Sequence, residues 1–185
     1  VEVQGTVGEA PERIIVVGNV EEVAALKVKD EGKVGYITQT TLSMDDTAEI
    51  IDALKKRYPK IQGPAKDDIC YATQNRQNAV KALSKEVELV LVVGAQNSSN
   101  SVRLLEVAKT TGVNARRIES AAELKAEWLE GVLNIGITAG ASAPEDIVQG
   151  IVTELRKMSS SSQVRDLEII REDVTFALPA VLRTP

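Results

Sequence analysis

Short apolar runs alternate with segments of helical spacing along residues 1–158. The run over residues 88–94 (ELVLVVG) is uninterrupted, which predicts a strand that is buried on both faces. Because strands alternate with helices, we expect an α/β fold made of small three-layer αβα units with parallel sheets and right-handed connections. Strands are expected at residues 13–17, 33–37, 88–94, 114–118 and 132–137.

Helix boundaries are predicted from capping residues that stand next to apolar positions at helical spacing. Pro144 is expected at the first position of a helix, followed by two acidic residues that suit the positive end of the helix dipole. Ser120 is expected to cap a helix that includes Trp128. Further helices are expected after Asn19, from Asp45 to Arg57, from Thr73 to Leu83, from Val102 to near Gly112, and from Pro144 through Leu155.

Gly63-Pro64 is the best candidate for a domain boundary in the chain. Residues 1–63 are expected to form a partial αβα unit, and residues 64–158 a complete one. Residues 159–185 begin with four serines, which favour a flexible linker. Beyond them we expect either a closing strand pair, over residues 167–170 and 174–178, or an extended tail.

Composition excludes several classes of function. The 22 basic and 27 acidic residues give a net charge of -5 without any basic block, which argues against a nucleic-acid partner. No apolar run approaches the ~18 residues of a membrane span, so we expect no membrane partner. The single cysteine cannot form an internal disulfide, which suits a reducing compartment, and we expect the cytoplasm. The absence of histidine excludes Ser-His-Asp and Cys-His catalysis and histidine metal sites within the chain.

Cys70 lies where an extended segment meets the helix that runs from Thr73. A thiol at a helix N-terminus lies at the positive end of the dipole, which favours the thiolate that attacks electrophiles or binds metals. A buried, inert cysteine is the commoner interpretation of a lone cysteine. The polar turns on both sides of Cys70 are what favour a functional site.

Three polar turns without a charged side chain follow predicted strands, at residues 38–44, 95–102 and 138–144. Ligands of open α/β sheets bind at the carboxyl ends of strands. Hydroxyl, amide and backbone N–H groups there can hold a phosphate without basic side chains. Helix capping alone explains any one of these turns. The run over residues 97–101 (NSSNS) has more hydroxyls and amides than one cap needs, so the turns together indicate an anion site.

Five segments of the chain resemble a known family. Residues 2–6 (EVQGT), 38–47, 67–77 (DDICYATQNRQ), 92–101 and 136–144 are closely similar, in order and spacing, to the 4-hydroxy-3-methylbut-2-enyl diphosphate reductase family, also called the LytB or IspH family. The resemblance extends from residue 1 to about residue 182. It implies an iron–sulfur reductase of the non-mevalonate isoprenoid route, which reduces an allylic diphosphate alcohol to isopentenyl and dimethylallyl diphosphate.

The resemblance also implies a fold and a set of residue roles. Three αβα units would form a trefoil around a [4Fe-4S] cluster. Residues 1–63 would belong to the trefoil's middle unit, and residues 64–158 would form its last unit. A reduced ferredoxin or flavodoxin would supply the electrons. By the same resemblance Cys70 is one of three cysteine ligands of the cluster, Glu2 is the proton donor, Thr40 contacts the substrate oxygen and assists the proton relay, and Ser98, Ser99, Asn100 and Ser142 bind the diphosphate.

The chain departs from the family pattern in one large respect. Two further cysteine ligands and three pocket histidines belong to that pattern and are absent here, so the chain resembles the C-terminal portion of the enzyme. We therefore expect it to be inactive alone. We also expect the sheet of residues 1–63 to lack its first strand and to expose an edge. A non-catalytic αβα module that binds diphosphate is the alternative, and a structural domain with ordinary helix caps is a third interpretation.

Overall fold

The computed structural model describes residues 2–65, 68–159, 161–171 and 179 of the chain. Its elements fall into two groups, which we call the first unit (residues 2–62) and the second unit (residues 71–158). The first unit holds α1 (Glu2–Glu9), α2 (Val20–Ala25) and α3 (Met44–Arg57). The second unit holds α4 (Tyr71–Leu83), β1 (Leu89–Val93), α5 (Ser99–Thr110), β2 (Asn114–Ile118), two 3-10 turns (Ala121–Glu123 and Ala126–Trp128), β3 (Ile135–Ala139) and α6 (Glu145–Met158).

A three-stranded parallel sheet, in the order β2-β1-β3, forms the centre of the second unit. β1 lies between its two neighbours, with Leu89 opposite both Asn114 and Ile135. Every residue of β1 is buried, which confirms the strand predicted from the uninterrupted apolar run. The α/β class with a parallel sheet is confirmed as well.

Helices cover both faces of this sheet. Val90 of β1 belongs to one buried cluster with Val80 of α4 and Leu104 of α5. Leu91 points to the opposite face, where it shares a second cluster with Ile151 of α6. Full burial of a valine or leucine side chain stabilises a fold by about 1.5–3 kcal/mol. The alternation along β1 therefore holds the three layers of the unit together.

Side-chain caps fix the starts of two helices in the first unit. Asn19 caps α2 and Ser43 caps α3, each by accepting the backbone N–H three residues further on, at 2.8 and 3.3 Å. In the second unit Pro144 has a ψ of 140°, which is extended rather than helical. Pro144 therefore occupies the cap position, and α6 begins one residue later than predicted, at Glu145.

The first unit contains no strand among its described residues, so the strands predicted at 13–17 and 33–37 are wrong. The second of these segments forms a single parallel bridge, between Gly35 and Gln62. A strand needs a neighbour for its backbone N–H and C=O groups, and the described part of this unit provides only Gln62, opposite Gly35. Ile15 and Val16 are each 56% exposed as a result.

One predicted helix in the second unit is replaced by turns. Residues 120–128 make two 3-10 turns, and the backbone between them is extended at Leu124, with a ψ of 130°. Ser120 makes no side-chain capping bond, so the helix start predicted there is wrong. Trp128 packs against the core cluster on the α6 face, and its ring centroid lies 5.0 Å from the guanidinium carbon of Arg116.

β3 is shifted along the chain relative to its prediction. It spans Ile135–Ala139 instead of residues 132–137. The backbone N–H groups of Leu133 and Asn134 donate to the Glu88 carboxylate, at 3.2 and 2.6 Å. These two residues are therefore held by a side chain ahead of the strand rather than by the sheet itself.

The segment after α6 shows no strand over residues 161–171. The predicted strand at residues 167–170 is therefore not formed, and the extended-tail alternative remains. The second tail strand, over residues 174–178, and Ser160 of the serine run lie outside the described residues. The domain boundary at Gly63-Pro64 stays a prediction. Within the described ranges no helix is long and apolar enough to cross a membrane.

Candidate functional site

The loops that follow β1 and β3 lie side by side at the carboxyl edge of the sheet. Gly140, directly after β3, donates its N–H to Val93 O of β1 at 2.9 Å. Gly94, directly after β1, donates to Ile118 O at the end of β2 at 3.0 Å. Two of the uncharged polar turns predicted from the sequence are therefore neighbours in the structure.

Ser101 of α5 fills the space between these two loops, and it is fully buried. A Cβ added to Gly94 would lie 2.8 Å from Ser101 Cβ, and a Cβ added to Gly140 would overlap Ser101 Oγ. Only glycine at both positions lets α5 begin this close to the strand ends. The close approach brings the positive end of the α5 dipole to the carboxyl edge of the sheet.

Ser98 is the cap of α5. Its Oγ accepts the backbone N–H of Ser101 at 3.3 Å and the Ser101 hydroxyl at 3.0 Å. The capping interpretation is therefore correct for this serine. Both contacts use Ser98 Oγ as an acceptor, so its own hydroxyl proton remains available for donation. Ser99, the first residue of α5, is exposed.

Asn100 is buried without being satisfied. Its side chain is 8% exposed, and neither Nδ2 nor Oδ1 has a hydrogen-bond partner within the described ranges. A buried polar group without a partner costs about 1–3 kcal/mol. Native structures contain few such groups, and each one calls for an explanation. The sequence placed Asn100 in a polar turn, but its burial depends on how α5 docks and could not be read from the pattern.

Cys70 and Thr40 are brought together by a backbone hydrogen bond. Cys70 is the cap residue of α4, and its N–H donates to Thr40 O at 3.2 Å. The Cys70 thiol is free and exposed, so the expectation that a lone cysteine is buried is wrong. Thr40 is exposed as well. The two residues, 30 positions apart in sequence, are therefore neighbours along the backbone, and both are exposed.

Gln77 of α4 holds the turn that carries Thr40. Its side chain is 1% exposed; Nε2 donates to Leu42 O at 2.7 Å, and Oε1 accepts the N–H of Met44 at 3.0 Å. The sequence did not single out this residue. A signal was present, because Gln77 stands on the buried side of α4 between Thr73 and Val80, and a buried glutamine in a helix needs hydrogen-bond partners.

Arg76 and Asp68 tie other segments to the same place. Arg76 Nη1 donates to Ala139 O, at the end of β3, at 2.8 Å. Asp68 Oδ2 accepts the N–H of Thr38 at 2.7 Å. α4 and the segment before it therefore connect the first polar turn to the sheet of the second unit.

A cleft of about 370 Å³ lies beside this site, between the first polar turn and α5. Ser99 lines it, whereas Thr40 and Asn100 do not, so the cleft includes only part of the candidate site. Arg103 lies in its wall, with Nη1 2.7 Å from Glu106 and 3.6 Å from Asp46. Arg103 is therefore engaged in two ion pairs at this wall.

Charge near the β1 loop is balanced locally. Glu119 Oε1 accepts the N–H of Gln96 at 2.8 Å and a hydrogen bond from Arg117 at 2.7 Å. The Arg117 guanidinium is the main reason that the pKa of Glu119 is lowered. Arg117 also donates to Gly94 O at 2.9 Å. The polar turn at residues 95–102 itself contains no charged side chain.

The remaining predicted site residues are less closely tied to this arrangement. Ser142 is exposed in the loop after β3, beside the α5 turn. Glu2 begins α1 in the first unit, and the role predicted for its carboxylate stays a prediction. No group of three metal-binding side chains occurs in the described part of the chain, and the whole sequence holds one cysteine and no histidine. The donor set present does not fit a cluster that needs three thiolates.

The fold and the site define a class of protein. It is an α/β protein whose parallel sheet ends in uncharged hydroxyl and amide turns, next to an exposed thiol at a helix N-terminus. The sequence model described as LytB protein matches residues 1–156. The chain belongs to the LytB family.

Curated relatives and a solved structure agree with this assignment. A protein of Acidithiobacillus ferrooxidans named 4-hydroxy-3-methylbut-2-enyl diphosphate reductase is 53% identical over 182 residues, which cover 98% of this chain and 57% of the relative. A relative of the same name from Ralstonia nicotianae is 50% identical, with 98% and 56% covered. The structure of the E-1-hydroxy-2-methyl-but-2-enyl-4-diphosphate reductase from Plasmodium falciparum superposes with a TM-score of 0.88 at 35% identity, covering 97% of this chain and 57% of that one.

The chain spans little more than half the length of these relatives. The single thiol of the sequence agrees with that partial coverage. What the relatives' names say of their substrate therefore applies to proteins that are longer than this sequence.

Proposed function

We propose that this chain contributes the diphosphate-binding part of a 4-hydroxy-3-methylbut-2-enyl diphosphate reductase. The observation that carries the proposal is the buried, unpartnered amide of Asn100 at the start of α5. A ligand with anionic oxygens would accept from Asn100 Nδ2 and remove the cost of leaving it unsatisfied. The names of the relatives supply the identity of the anion, an allylic diphosphate. They do not favour the alternative of a non-catalytic module.

The diphosphate would be held by hydrogen bonds and by a helix dipole. α5 has 12 residues, and its first backbone N–H groups point toward the loop edge. Ser98, Ser99 and Ser142 would add hydroxyl donors to the amide of Asn100. Neutral donors hold a diphosphate while leaving its charge partly uncompensated, and the dipole supplies the remaining attraction.

Thr40 and Glu2 are proposed to serve the other end of the substrate. The hydrogen bond between Cys70 N–H and Thr40 O fixes the turn that carries the Thr40 hydroxyl. We assign that hydroxyl to the allylic oxygen and Glu2 to the proton donor. The C–O bond breaks as the protonated hydroxyl leaves as water, two electrons arrive from a reduced donor, and a second proton adds to the carbon chain. A ferredoxin or a flavodoxin in the cytoplasm is the donor that we propose.

Cys70 is proposed as one of three thiolate ligands to a [4Fe-4S] cluster. Such a cluster supplies the electron transfer to the allylic system when it is bound. The chain provides a single thiol, so the other two ligands must come from polypeptide outside this sequence. We accordingly propose that the chain turns over no substrate by itself.

Calorimetric titration of the purified chain with inorganic diphosphate, and then with the allylic diphosphate, tests the binding part of the proposal. Asn100→Asp keeps the shape of the side chain but places a carboxylate where the anion would bind. We expect it to weaken binding at least tenfold, about 1.4 kcal/mol. Asn114→Asp is the charge-matched control, because Asn114 begins β2 at the opposite end of the sheet and is exposed. Equal affinity of the two variants would overturn the assignment of Asn100.

A further inference from the structure

The turn over residues 38–44, which we call the Thr40 turn, is bonded at alternate residues to the segment over residues 68–77. Four of its backbone groups take part. They are the N–H of Thr38, the C=O of Thr40, the C=O of Leu42 and the N–H of Met44. The partners are Asp68, Cys70 and Gln77, at distances from 2.7 to 3.2 Å. The path of the Thr40 turn is therefore set by α4 and the residues just before it.

Gln77 makes two of these four bonds with one side-chain amide. The side chain is 1% exposed; Nε2 donates to Leu42 O at 2.7 Å, and Oε1 accepts the N–H of Met44 at 3.0 Å. A carboxylate has no donor for the carbonyl, and an aliphatic side chain has neither a donor nor an acceptor. The chemistry of both backbone groups is therefore matched by an amide, and its loss would leave both groups without this partner.

The same face of α4 also contacts the start of α3. Lys81 lies four residues after Gln77 and therefore on the same side of the helix. Its Nζ lies 2.6 Å from Asp45 Oδ2. Met44 and Asp45 are the first two residues of α3. The end of the Thr40 turn is thus attached to one helix and held by another, so a displacement of Gln77 would move the turn.

Arg76 connects α4 to the other polar loop. Its Nη1 donates at 2.8 Å to the carbonyl oxygen of Ala139, the last residue of β3. Gly140 follows and donates its N–H to Val93 O of β1, so the start of the loop that carries Ser142 is fixed to the sheet. Two consecutive side chains of α4 therefore bind the Thr40 turn and the end of β3.

We propose that Gln77 and Arg76 are positioning residues for the substrate, which together set the spacing between the Thr40 hydroxyl and the loops that hold the diphosphate. Gln77 acts through the Thr40 turn, and Arg76 acts through the end of β3. Neither side chain has to touch the substrate. These roles rest on the proposed function, because the contacts of Thr40 and of the diphosphate loops are assigned there.

A fixed spacing selects a substrate by the distance between its two polar ends. The diphosphate is held near the start of α5 and the loop after β3, and the hydroxyl oxygen lies at the far end of the carbon chain. A hydrogen bond from Thr40 to that oxygen needs a separation of about 2.5–3.0 Å between the two oxygens. A displaced Thr40 turn should therefore weaken the contact with the oxygen and leave diphosphate binding nearly unchanged.

Two ligands that differ by this oxygen measure the contact. The allylic diphosphate alcohol and dimethylallyl diphosphate carry the same diphosphate group, and the second lacks the hydroxyl oxygen. Calorimetric titration of the purified chain with each gives the ratio of their affinities. We expect the alcohol to bind about fivefold more tightly, the gain from one hydrogen bond. Thr40→Val removes the Thr40 hydroxyl and should reduce the ratio to about one.

Gln77→Met tests whether Gln77 acts through Thr40. The variant keeps the length of the side chain and loses the amide. It should lower the ratio about threefold or more and leave the affinity for dimethylallyl diphosphate within about twofold. Combined with Thr40→Val it should cause no further change in the ratio, because the hydroxyl through which it acts is gone. Gln74→Met is the control, because the Gln74 amide donates to Ile69 O and not to the Thr40 turn. It should keep the ratio of the unchanged chain.

Arg76→Met and Arg76→Lys form a second pair, at a position that is half-buried and therefore tolerates substitution better than Gln77 does. Arg76→Met keeps much of the apolar stem and loses the donor to Ala139 O, so it should lower the ratio. Arg76→Lys restores a donor and a positive charge and should recover most of the ratio. Circular dichroism shows whether each variant is folded.

The outcomes separate the positioning roles from the proposed function. No binding of either ligand by the unchanged chain would overturn the proposed function and the positioning roles with it. Equal affinity of the unchanged chain for the two ligands would overturn the contact of Thr40, and with it the roles of Gln77 and Arg76. An unchanged ratio in either Gln77→Met or Arg76→Met, or an equal fall in Gln74→Met, would overturn the positioning roles and leave diphosphate binding standing.

Discussion

The two units of this protein differ in whether their apolar runs form a sheet. The second unit has three paired strands around the buried β1. The first unit has a single bridge between Gly35 and Gln62, although its sequence contains two apolar runs of strand character. The comparison teaches that strand propensity is realised only when a neighbour is present to pair the backbone.

The hydrophobic core is also larger in the second unit than in the first. The second unit buries two clusters, one on each face of the sheet. The first unit buries one cluster, whose fully buried members are Val23, Leu54 and Tyr58. A core with helices on one side only can stabilise a unit less, so more of the stability of the chain should lie in the second unit.

The largest expected effect comes from truncating the central strand. Leu91→Ala removes a side chain with no solvent exposure and should destabilise the second unit by about 3–4 kcal/mol. Leu54→Ala should cost less, about 2 kcal/mol, because the small one-sided core of the first unit can relax. Urea unfolding followed by circular dichroism measures both. Equal losses would break the comparison, and the exposed control Leu133→Ala should shift stability by less than about 0.5 kcal/mol.

The next largest loss of stability is expected from substitutions of the glycines at the strand ends. Gly140→Ala should destabilise the second unit by about 2 kcal/mol, because the new Cβ meets the buried Ser101 Oγ. Ser101→Ala removes that oxygen, leaving Ser101 Cβ at 3.4 Å from the Gly140 position, so the double variant should recover most of the loss. Gly94→Ala should not be rescued, because its Cβ would lie 2.8 Å from Ser101 Cβ. A double-mutant cycle without coupling at Gly140 would contradict this packing.

A smaller effect is expected where the two units are joined. Gln77→Leu leaves Leu42 O and Met44 N–H without their side-chain partner, and should cost about 1–2 kcal/mol. Amide exchange measured by NMR should quicken at Met44. Gln74→Leu is the control, because the Gln74 amide donates to Ile69 O instead. Unchanged exchange at Met44 in Gln77→Leu would show that the turn is held by other contacts.

The smallest effect concerns pH. The hydrogen bond from the Asn134 backbone N–H is the main reason that the pKa of Glu88 is lowered from its ordinary value of 4.5. A lowered pKa in the folded state gives a stability contribution that is complete above pH 4.5 and is lost as the pH falls below it. Glu88→Gln should therefore flatten the decline of the urea midpoint below pH 4.5. The exposed Glu127→Gln should leave that decline unchanged. Identical curves of urea midpoint against pH for the two variants would show that Glu88 does not contribute to the decline.

Much of the second unit was predictable, because the local sequence signals of its segments agree with the elements that they form. The strand at residues 88–94 and the helices expected from Thr73 to Leu83 and from Val102 to near Gly112 needed only periodicity and capping signals. The helices begin earlier than expected, α4 at Tyr71 and α5 at Ser99. The helix expected around Trp128 does not form, because Ser120 makes no capping hydrogen bond and the backbone is extended at Leu124.

The first unit shows what local patterns cannot give. Residues 13–17 have the composition of a strand, but pairing is a property of the assembled sheet. The candidate site divides in the same way. The polar turns and Cys70 were visible in the sequence, whereas the burial of Asn100 and the bond between Cys70 and Thr40 depend on docking of segments that are distant in the chain.

Reconstitution tests the central claim most directly. The chain would be combined under anaerobic conditions, with iron and sulfide, with the part of the Acidithiobacillus ferrooxidans relative that it does not span. Iron content and turnover of the allylic diphosphate would then be measured. We predict little iron and no turnover for the chain alone, and both for the mixture, with loss of both in Cys70→Ser. A stable cluster with turnover in the chain alone, or full activity of the Cys70→Ser mixture, would contradict the account.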